Sequence, residues 1–343
     1  MALGVGCSPS PNQAGATSGA ASMRSHCVGR LLVDLPESFD SRYFEGEATL
    51  YYGRTADFET VDVRIASAEV DAVSFVAAVE QRASEIQAES NEKTKGSMLV
   101  ARHDFSEHSI LLRYHRSDIS DRSHIHEVHL WVGGAHLVLT AESFKGDMDL
   151  VEQRLAEIAR RTATSSEMER TRPGFCLGPV IVHADNDDEM ASFRYRDSRQ
   201  SHADLALEIE ISSFARDEND SRLIRRVERS LRGFGFRPKV VRKGAIELAG
   251  VTAEEWLGSH KENGGLKHMF SAESYPETPS SSNPGIQLSL RSGEPVSDTA
   301  SGLSPYRKPT PTPRSANHET AASVEEAQAV AIWDAITASV RLQ

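Results

Sequence analysis

The chain has 343 residues, 39% hydrophobic and 26% charged, and a formal net charge of -12 from 50 acidic and 38 basic side chains. That length suits two cores better than one, and the acidic balance argues against nucleic acid, whose phosphates reward clustered Lys and Arg. No apolar run approaches the roughly 18 residues of a membrane-spanning helix. The three cysteines, Cys7, Cys27 and Cys176, form no CxxC pair, which excludes a zinc ribbon or a thioredoxin-like site.

Residues 1–25 are rich in Gly, Ser, Ala and Pro and read as a disordered tether. Within it LGVGC at 3–7 resembles the end of a bacterial lipoprotein signal, without the basic and apolar regions that precede such an end. A lipid on Cys7 and a plain polar tail are both open. An N-terminal lobe is expected over 26–165. It opens with the strand CVGRLLVDLP at 27–36, stopped by Pro36. Strands follow at 48–52 and 59–66, the latter with Val61, Val63 and Ile65 on one face. Asp71 then caps a helix whose apolar stripe is Val73, Val76, Val79, Ala83 and Ile86. Four strands come next, at 98–103, 109–116, 126–132 and 135–142, with Gly133-Gly134 marking a tight hairpin. A helix carrying Val151, Leu155 and Ile158 closes the lobe.

Residues 166–174 read as a linker, and a C-terminal lobe over 175–343 starts the same order again. CLGPVIV at 176–182 matches CVGRLLV at 27–33 in the spacing of Cys, Gly and three aliphatics. A strand is expected at 205–211. A helix capped by Asp220 then carries Leu223, Ile224, Val227 and Leu231 and ends at Gly233. Strands at 240–248, 253–260, 267–273 and 286–290 precede a last helix over 325–342, with Ala329, Ile332, Trp333, Ile336 and Val340 as its stripe. An insertion at about 275–323 holds eight of the fourteen prolines. The expected fold is α+β: two similar lobes from an internal duplication, each an antiparallel sheet with helices packed on one face. Chance likeness of two ordinary α+β patterns is the alternative.

Catalytic signatures are missing: there is no GxSxG elbow, P-loop or dinucleotide fingerprint, so no catalytic residue is assigned. Seven of the thirteen histidines fall between His103 and His136. In SHIHEVHLWV a strand puts His124 and His126 on one face with Val128 and Leu130, and Glu127, His129 and Trp131 on the other. Two same-face histidines could hold zinc with a third ligand; structural histidines are the bland reading. Asp185, Asp187, Asp188 and Glu189 form an acidic loop, either solvated or facing a basic partner. Glu254 and Glu255 fall on opposite faces of a strand and cannot converge as an acid–base pair, and Trp256 reads as a core anchor. The matched positions of Cys27 and Cys176 would let them pair near a pseudo-twofold axis; two separate buried thiols are the alternative.

Four segments together resemble the immunity proteins that protect bacteria from their own type VI secretion lipase effectors, the type 4 group of Tle-cognate immunity proteins. They are CVGRLLVDLP at 27–36, GFCLGPVIV at 174–182, GAIELAGVTAEEWLGSHKENG at 244–264 with HMFSAES at 268–274, and AIWDAITASVRLQ at 331–343. The Pro-rich insertion and Ala253, in place of a Gly, depart from that pattern. The resemblance implies a periplasmic, two-domain, non-enzymatic protein without a cofactor. Its partner would be a cognate phospholipase effector, held at the lid or the active-site entrance. Any membrane contact would run only through a lipid on Cys7. Contact residues are then expected in acidic loops facing a cleft between the lobes: Asp185, Asp187, Asp188 and Glu189, and Asp217, Glu218 and Asp220. Two alternatives remain from other classes: a metal-dependent hydrolase or carrier using His124 and His126, and an envelope lipoprotein of unrelated role.

Overall fold

The computed structural model describes residues 22–39, 45–53, 59–164, 174–216, 221–233, 237–262, 265–293 and 321–343. Cys7, Asp217, Glu218, Asp220, residues 166–173 of the expected linker and the Pro-rich stretch 294–320 lie outside them. The first half contains β1 (Met23–Gly29), β2 (Leu31–Pro36), β3 (Glu45–Tyr52), β4 (Glu59–Ser67), α1 (Ala72–Ala88), β5 (Leu99–Ser106), β6 (Ser109–His115), β7 (Ser123–Val132), β8 (Ala135–Phe144), α2 (Met148–Arg160) and β9 (Thr162–Thr164). The second half repeats this order. It has β10 (Phe175–Leu177), β11 (Val180–Val182), β12 (Asp188–Arg196), β13 (Ala206–Ser212), α3 (Leu223–Gly233), β14 (Lys239–Leu248), β15 (Val251–Glu262), β16 (Gly265–Ser274), β17 (Gly285–Ser292), α4 (Glu326–Ser339) and β18 (Arg341–Leu342).

The segment expected as one strand at 27–36 is a hairpin. Its chain turns at Gly29, whose φ of 59° is the left-handed region that glycine enters without a Cβ clash. Gly178, at φ 55°, does the same between β10 and β11. The repeated Cys-x-Gly spacing is therefore the corner of two equivalent hairpins. The strand β12 was not expected from the sequence, because Asp188, Glu189, Arg194 and Arg196 mask its alternation. Its inward residues are Glu189, Ala191, Phe193 and Tyr195, and the buried glutamate breaks the apolar pattern.

The strands form two antiparallel sheets, and both are shared by the two halves. The long sheet has twelve strands in the order β14-β15-β16-β17-β13-β12-β3-β4-β8-β7-β6-β5. Read outward from the β12–β3 seam, the two sides have the same succession of equivalent strands. Ala48 pairs with Ala191 near the middle of the seam. The short sheet runs β18-β2-β1-β10-β11-β9. In it each half's last strand joins the other half's hairpin: β9 pairs with β11, and β18 with β2. This exchange ties the lobes together at both sheets.

The main core lies between the sheets and spans both halves. Leu35, Leu50 and Val63 meet Phe193, Ile209 and Phe270 there, with α2 and α4 closing its sides through Leu155 and Trp333. α1 packs on the opposite face of the long sheet, where Phe75, Val79, Ala83 and Ile86 cover Ile110 and Leu112. The helices of a half thus lie on opposite faces, not on one. Neighbouring strand residues decide this: Leu111 turns to the main core while Leu112 turns to α1. Val73 and Val76, expected in the buried stripe of α1, are 80% and 42% exposed, because the stripe that meets the sheet runs through Phe75, Val79, Ala83 and Ile86 and turns the two valines outward.

Candidate functional site

At one end of the seam the C-terminal ends of β3 and β13 flank the start of β12, and the acidic loop is held against them. Asp187 donates its backbone N–H to the Tyr51 carbonyl (2.8 Å), and its carboxylate accepts from Gly53 N–H (2.8 Å). Asp185, with 85% of its side chain exposed, meets Arg161 from the end of α2 at 2.5 Å. The Asp188 carboxylate accepts from the Ser213 hydroxyl at 3.0 Å. The loop therefore belongs to the second half but is fastened to the first, and its carboxylates sit at the junction.

Glu189 does not belong on that rim. It is fully buried, and Arg30, from the corner of the first hairpin, grips both carboxylate oxygens at 2.9 and 3.1 Å. A bidentate pair of this kind fixes geometry; it locks the hairpin to the seam and offers nothing to a partner. Two aromatic residues that sequence reasoning missed do reach the rim. Phe214, 38% exposed, packs edge-on against Tyr51 with ring centroids 4.8 Å apart. Aromatic side chains give large contact area at low entropic cost, as interface anchors do. Their sequence signal was two apolar rings at strand ends, next to turns where the core pattern stops.

The histidines occupy both faces of β7. His126 is fully buried, with Ser143 Oγ 2.7 Å from its Nε2 and Glu152 3.3 Å from its Nδ1. Burial, aided by Arg113 and His124, pushes its pKa down to about 4. His124 stacks at a tilt on His115, with 5.1 Å between centroids, and burial lowers it as well. On the other face His129 lies 2.9 Å from Glu127 and 2.9 Å from His136. Burial, then the charge of His129, takes His136 to about 4. Glu127 also accepts from Arg82 and from the Tyr114 hydroxyl. Burial raises the Glu127 carboxyl, but His129 and Arg82 outweigh it and hold it well below the usual carboxylate range. Among the described residues no three His, Cys, Asp or Glu side chains are grouped to hold a metal ion. His124 and His126 are buried, 4% and 0% exposed, which is no place for a hydrolytic metal with an open position.

Glu254 and Glu255 point to opposite faces, and each serves a helix. Glu254 accepts from the Ile224 N–H at the start of α3 (3.0 Å), where a carboxylate satisfies an unpaired helix-end donor. Glu255 accepts from Arg242 and from the Trp333 indole N–H at 3.0 Å. Trp256, 1% exposed, fills the space over Gly258. None of these groups has the convergence that acid–base chemistry needs.

Cys27 and Cys176 are joined by a disulfide, with 5.6 Å between their Cα atoms. They flank the pair Val28–Leu177, where β1 and β10 cross near the pseudo-twofold axis. The amide of Gln343 donates to the Gly29 carbonyl beside them (2.9 Å).

The N-terminal domain of the Tle cognate immunity protein 4 family matches residues 24–172, and its C-terminal domain matches residues 170–343. The apo structure of the immunity protein TplEi of T6SS from Pseudomonas aeruginosa is similar over 93% of this chain and 97% of its own. Its TM-score is 0.64 at 18% identity. A second similar structure, described as the Tle4-Tli4 complex, covers 94% of this chain and 98% of its own, with a TM-score of 0.62 at 20% identity. No curated protein matches the sequence.

Proposed function

The chain belongs to the Tle cognate immunity protein 4 family, matched over both halves, and from that premise we propose that it neutralises a periplasm-acting lipase effector at the open end of its seam. The family is one of immunity proteins, so the chain's work is binding and not turnover. The observation that carries the proposal is the grouping of Tyr51 and Phe214, at strand ends, with Asp185 and Asp187 of the loop fastened to them, in a fold that two sheets and a disulfide hold in place. A surface so fixed loses little freedom on binding, which favours affinity. The two rings supply anchoring area, and the carboxylates around them steer a basic rim of the partner. Seated over the lid or active-site entrance of a lipase, such a surface stops lipid from reaching the nucleophile.

Asp217, Glu218 and Asp220, three to six residues after Phe214 in the sequence, lie outside the described residues and stay candidate contact residues on their charge alone. A periplasmic location agrees with the Cys27–Cys176 bond, since such bonds persist in oxidising compartments. A lipid on Cys7 would hold the protein at the membrane it protects; mass spectrometry of the mature chain, with Cys7→Ala as control, tests it.

Co-expression with a periplasm-directed cognate lipase tests the main reading. The wild-type protein is expected to restore growth, and Phe214→Ala combined with Asp185→Lys to weaken binding at least tenfold. Growth arrest despite abundant folded wild-type protein would sink the proposal.

A further inference from the structure

The helix α3 carries a feature that the fold does not ask for. Between Arg222 and Lys243 lie nine Lys or Arg residues and one carboxylate, Glu228, in a chain with 50 acidic and 38 basic side chains. Its structural equivalent, α1, holds a single arginine, Arg82. One arginine is what the architecture uses: Arg226 reaches Glu273 as Arg82 reaches Glu127. Arg222 lies over the Tyr275 ring at 4.9 Å. Lys239 pairs with Glu326, Arg242 with Glu255 and Asp334, and Lys243 with Glu228. Arg232 donates to the Glu228 backbone carbonyl at 3.3 Å, which leaves Arg225, Arg229 and Arg237, all exposed, with no carboxylate partner among the described residues. Arg222, Arg225, Arg229 and Arg232 are spaced three, four and three apart, so they run as one stripe along the helix. Like charges at these spacings weaken a helix, and α1 shows that the same helix position can be filled without them.

We propose that this stripe is a second docking surface, for an acidic face of the lipase effector, separate from the seam; this rests on the reading of the protein as that effector's inhibitor. Guanidinium groups suit carboxylates because their fork matches two oxygens at once. Charge complementarity also favours a protein over a membrane. Interfacial helices insert an apolar face into lipid, whereas Leu223 of α3 is buried and Ile224 and Val227 are half-buried against the sheet. An anionic bilayer, wider than the protein, would also meet the full net charge of -12. A protein surface at contact range meets only what lies within a Debye length of about 8 Å, and along this helix the arginines outnumber the one carboxylate, Glu228, which is already paired with Lys243.

The test uses the full chain and the purified lipase whose toxicity it suppresses. Association rates are measured across a salt series for wild type, for R225E/R229E/R237E and for R225K/R229K/R237K, with circular dichroism and melting curves to establish folding. The Glu variant is expected to associate at least tenfold more slowly at low salt and to lose most of the salt dependence, while the Lys variant stays near wild type. A Glu variant with the wild-type rate and salt slope overturns the proposal. So does a Glu variant that keeps lipase binding but loses adsorption to phosphatidylglycerol-rich vesicles, which would assign the stripe to lipid. If wild type itself fails to bind the lipase, the effector reading falls first and this surface with it.

Discussion

Beneath α1, Arg82 donates to Glu127 and to the Tyr114 hydroxyl, while beneath α3, Arg226 donates to Glu273, which also accepts from the Tyr275 hydroxyl. The tyrosines come from different places, Tyr114 from β6 and Tyr275 from just beyond β16, yet the same three groups meet. The groupings differ in what they join next. Glu127 continues through His129 to His136, whereas Glu273 takes a second arginine, Arg216. A buried carboxylate demands partners wherever it lies. The duplicated halves met that demand with one arginine each, and then added an imidazole in the first and a second guanidinium in the second. Outside, the contrast is sharper: α1 exposes Val73 and Val76 beside Glu80 and Glu85, whereas α3 exposes Arg225, Arg229 and Arg232.

Removing the carboxylates should separate the halves most. Glu127→Ala takes the carboxylate away from Arg82 and the buried His129 and is expected to cost about 3–5 kcal/mol in urea unfolding. Glu273→Ala should cost less, about 1–3 kcal/mol, because Arg216 and Arg226 keep 36% and 37% of their side chains in water and can rehydrate. Equal losses would mean that His129 adds nothing to the first grouping. The link between the halves comes next. Replacing both Cys27 and Cys176 by Ala frees a 149-residue separation and should lower stability by about 2–4 kcal/mol. The chain should remain folded, because the β3–β12 seam and the exchanged strands still hold. Two independent unfolding transitions in that variant would show that the seam alone does not couple the lobes.

Acid should act mainly on the first half. His126 and His136 have folded pKa values near 4, below the ordinary histidine value of about 6.5. The unfolded chain therefore binds protons that the folded one refuses, and stability is complete above about 6.5 and falls as the pH drops toward 4. Hydrogen exchange across that window should show β6, β7 and β8 opening before β15, β16 and β17. Asn at both positions should flatten the slope. The smallest effect is expected on the surface of α1. Val73→Ser should change stability by no more than about 0.5 kcal/mol, since the side chain is 80% exposed; a larger loss would restore it to the core.

Much of the fold was legible because local alternation survives burial. The opposite faces of Glu254 and Glu255, and of His126 and His129, follow from strand period alone. Asp71 caps α1 through its bond to Ser74 N–H, as its position before an apolar stripe suggested. The candidate site was less legible. Glu189 read as part of a solvated acidic loop because its partner, Arg30, is 159 residues away. Tyr51 and Phe214 read as ends of ordinary strands, and only their contact makes them a surface.

The sequence by itself determined the duplication: Cys27 and Gly29 return as Cys176 and Gly178, and each glycine supplies the positive φ of a hairpin corner. It also determined the charge of α3, the alternation of most strands, and the family resemblance in four short segments. Tertiary structure decided which strands pair. It placed β12 beside β3, sent β9 and β18 across to the opposite hairpins, and set α1 and α2 on opposite faces. The physical reason is range. Side-chain period and turn residues fix which way each residue faces within its own element. Partner choice depends on surfaces far apart in the chain, whose complementarity exists only once both have formed.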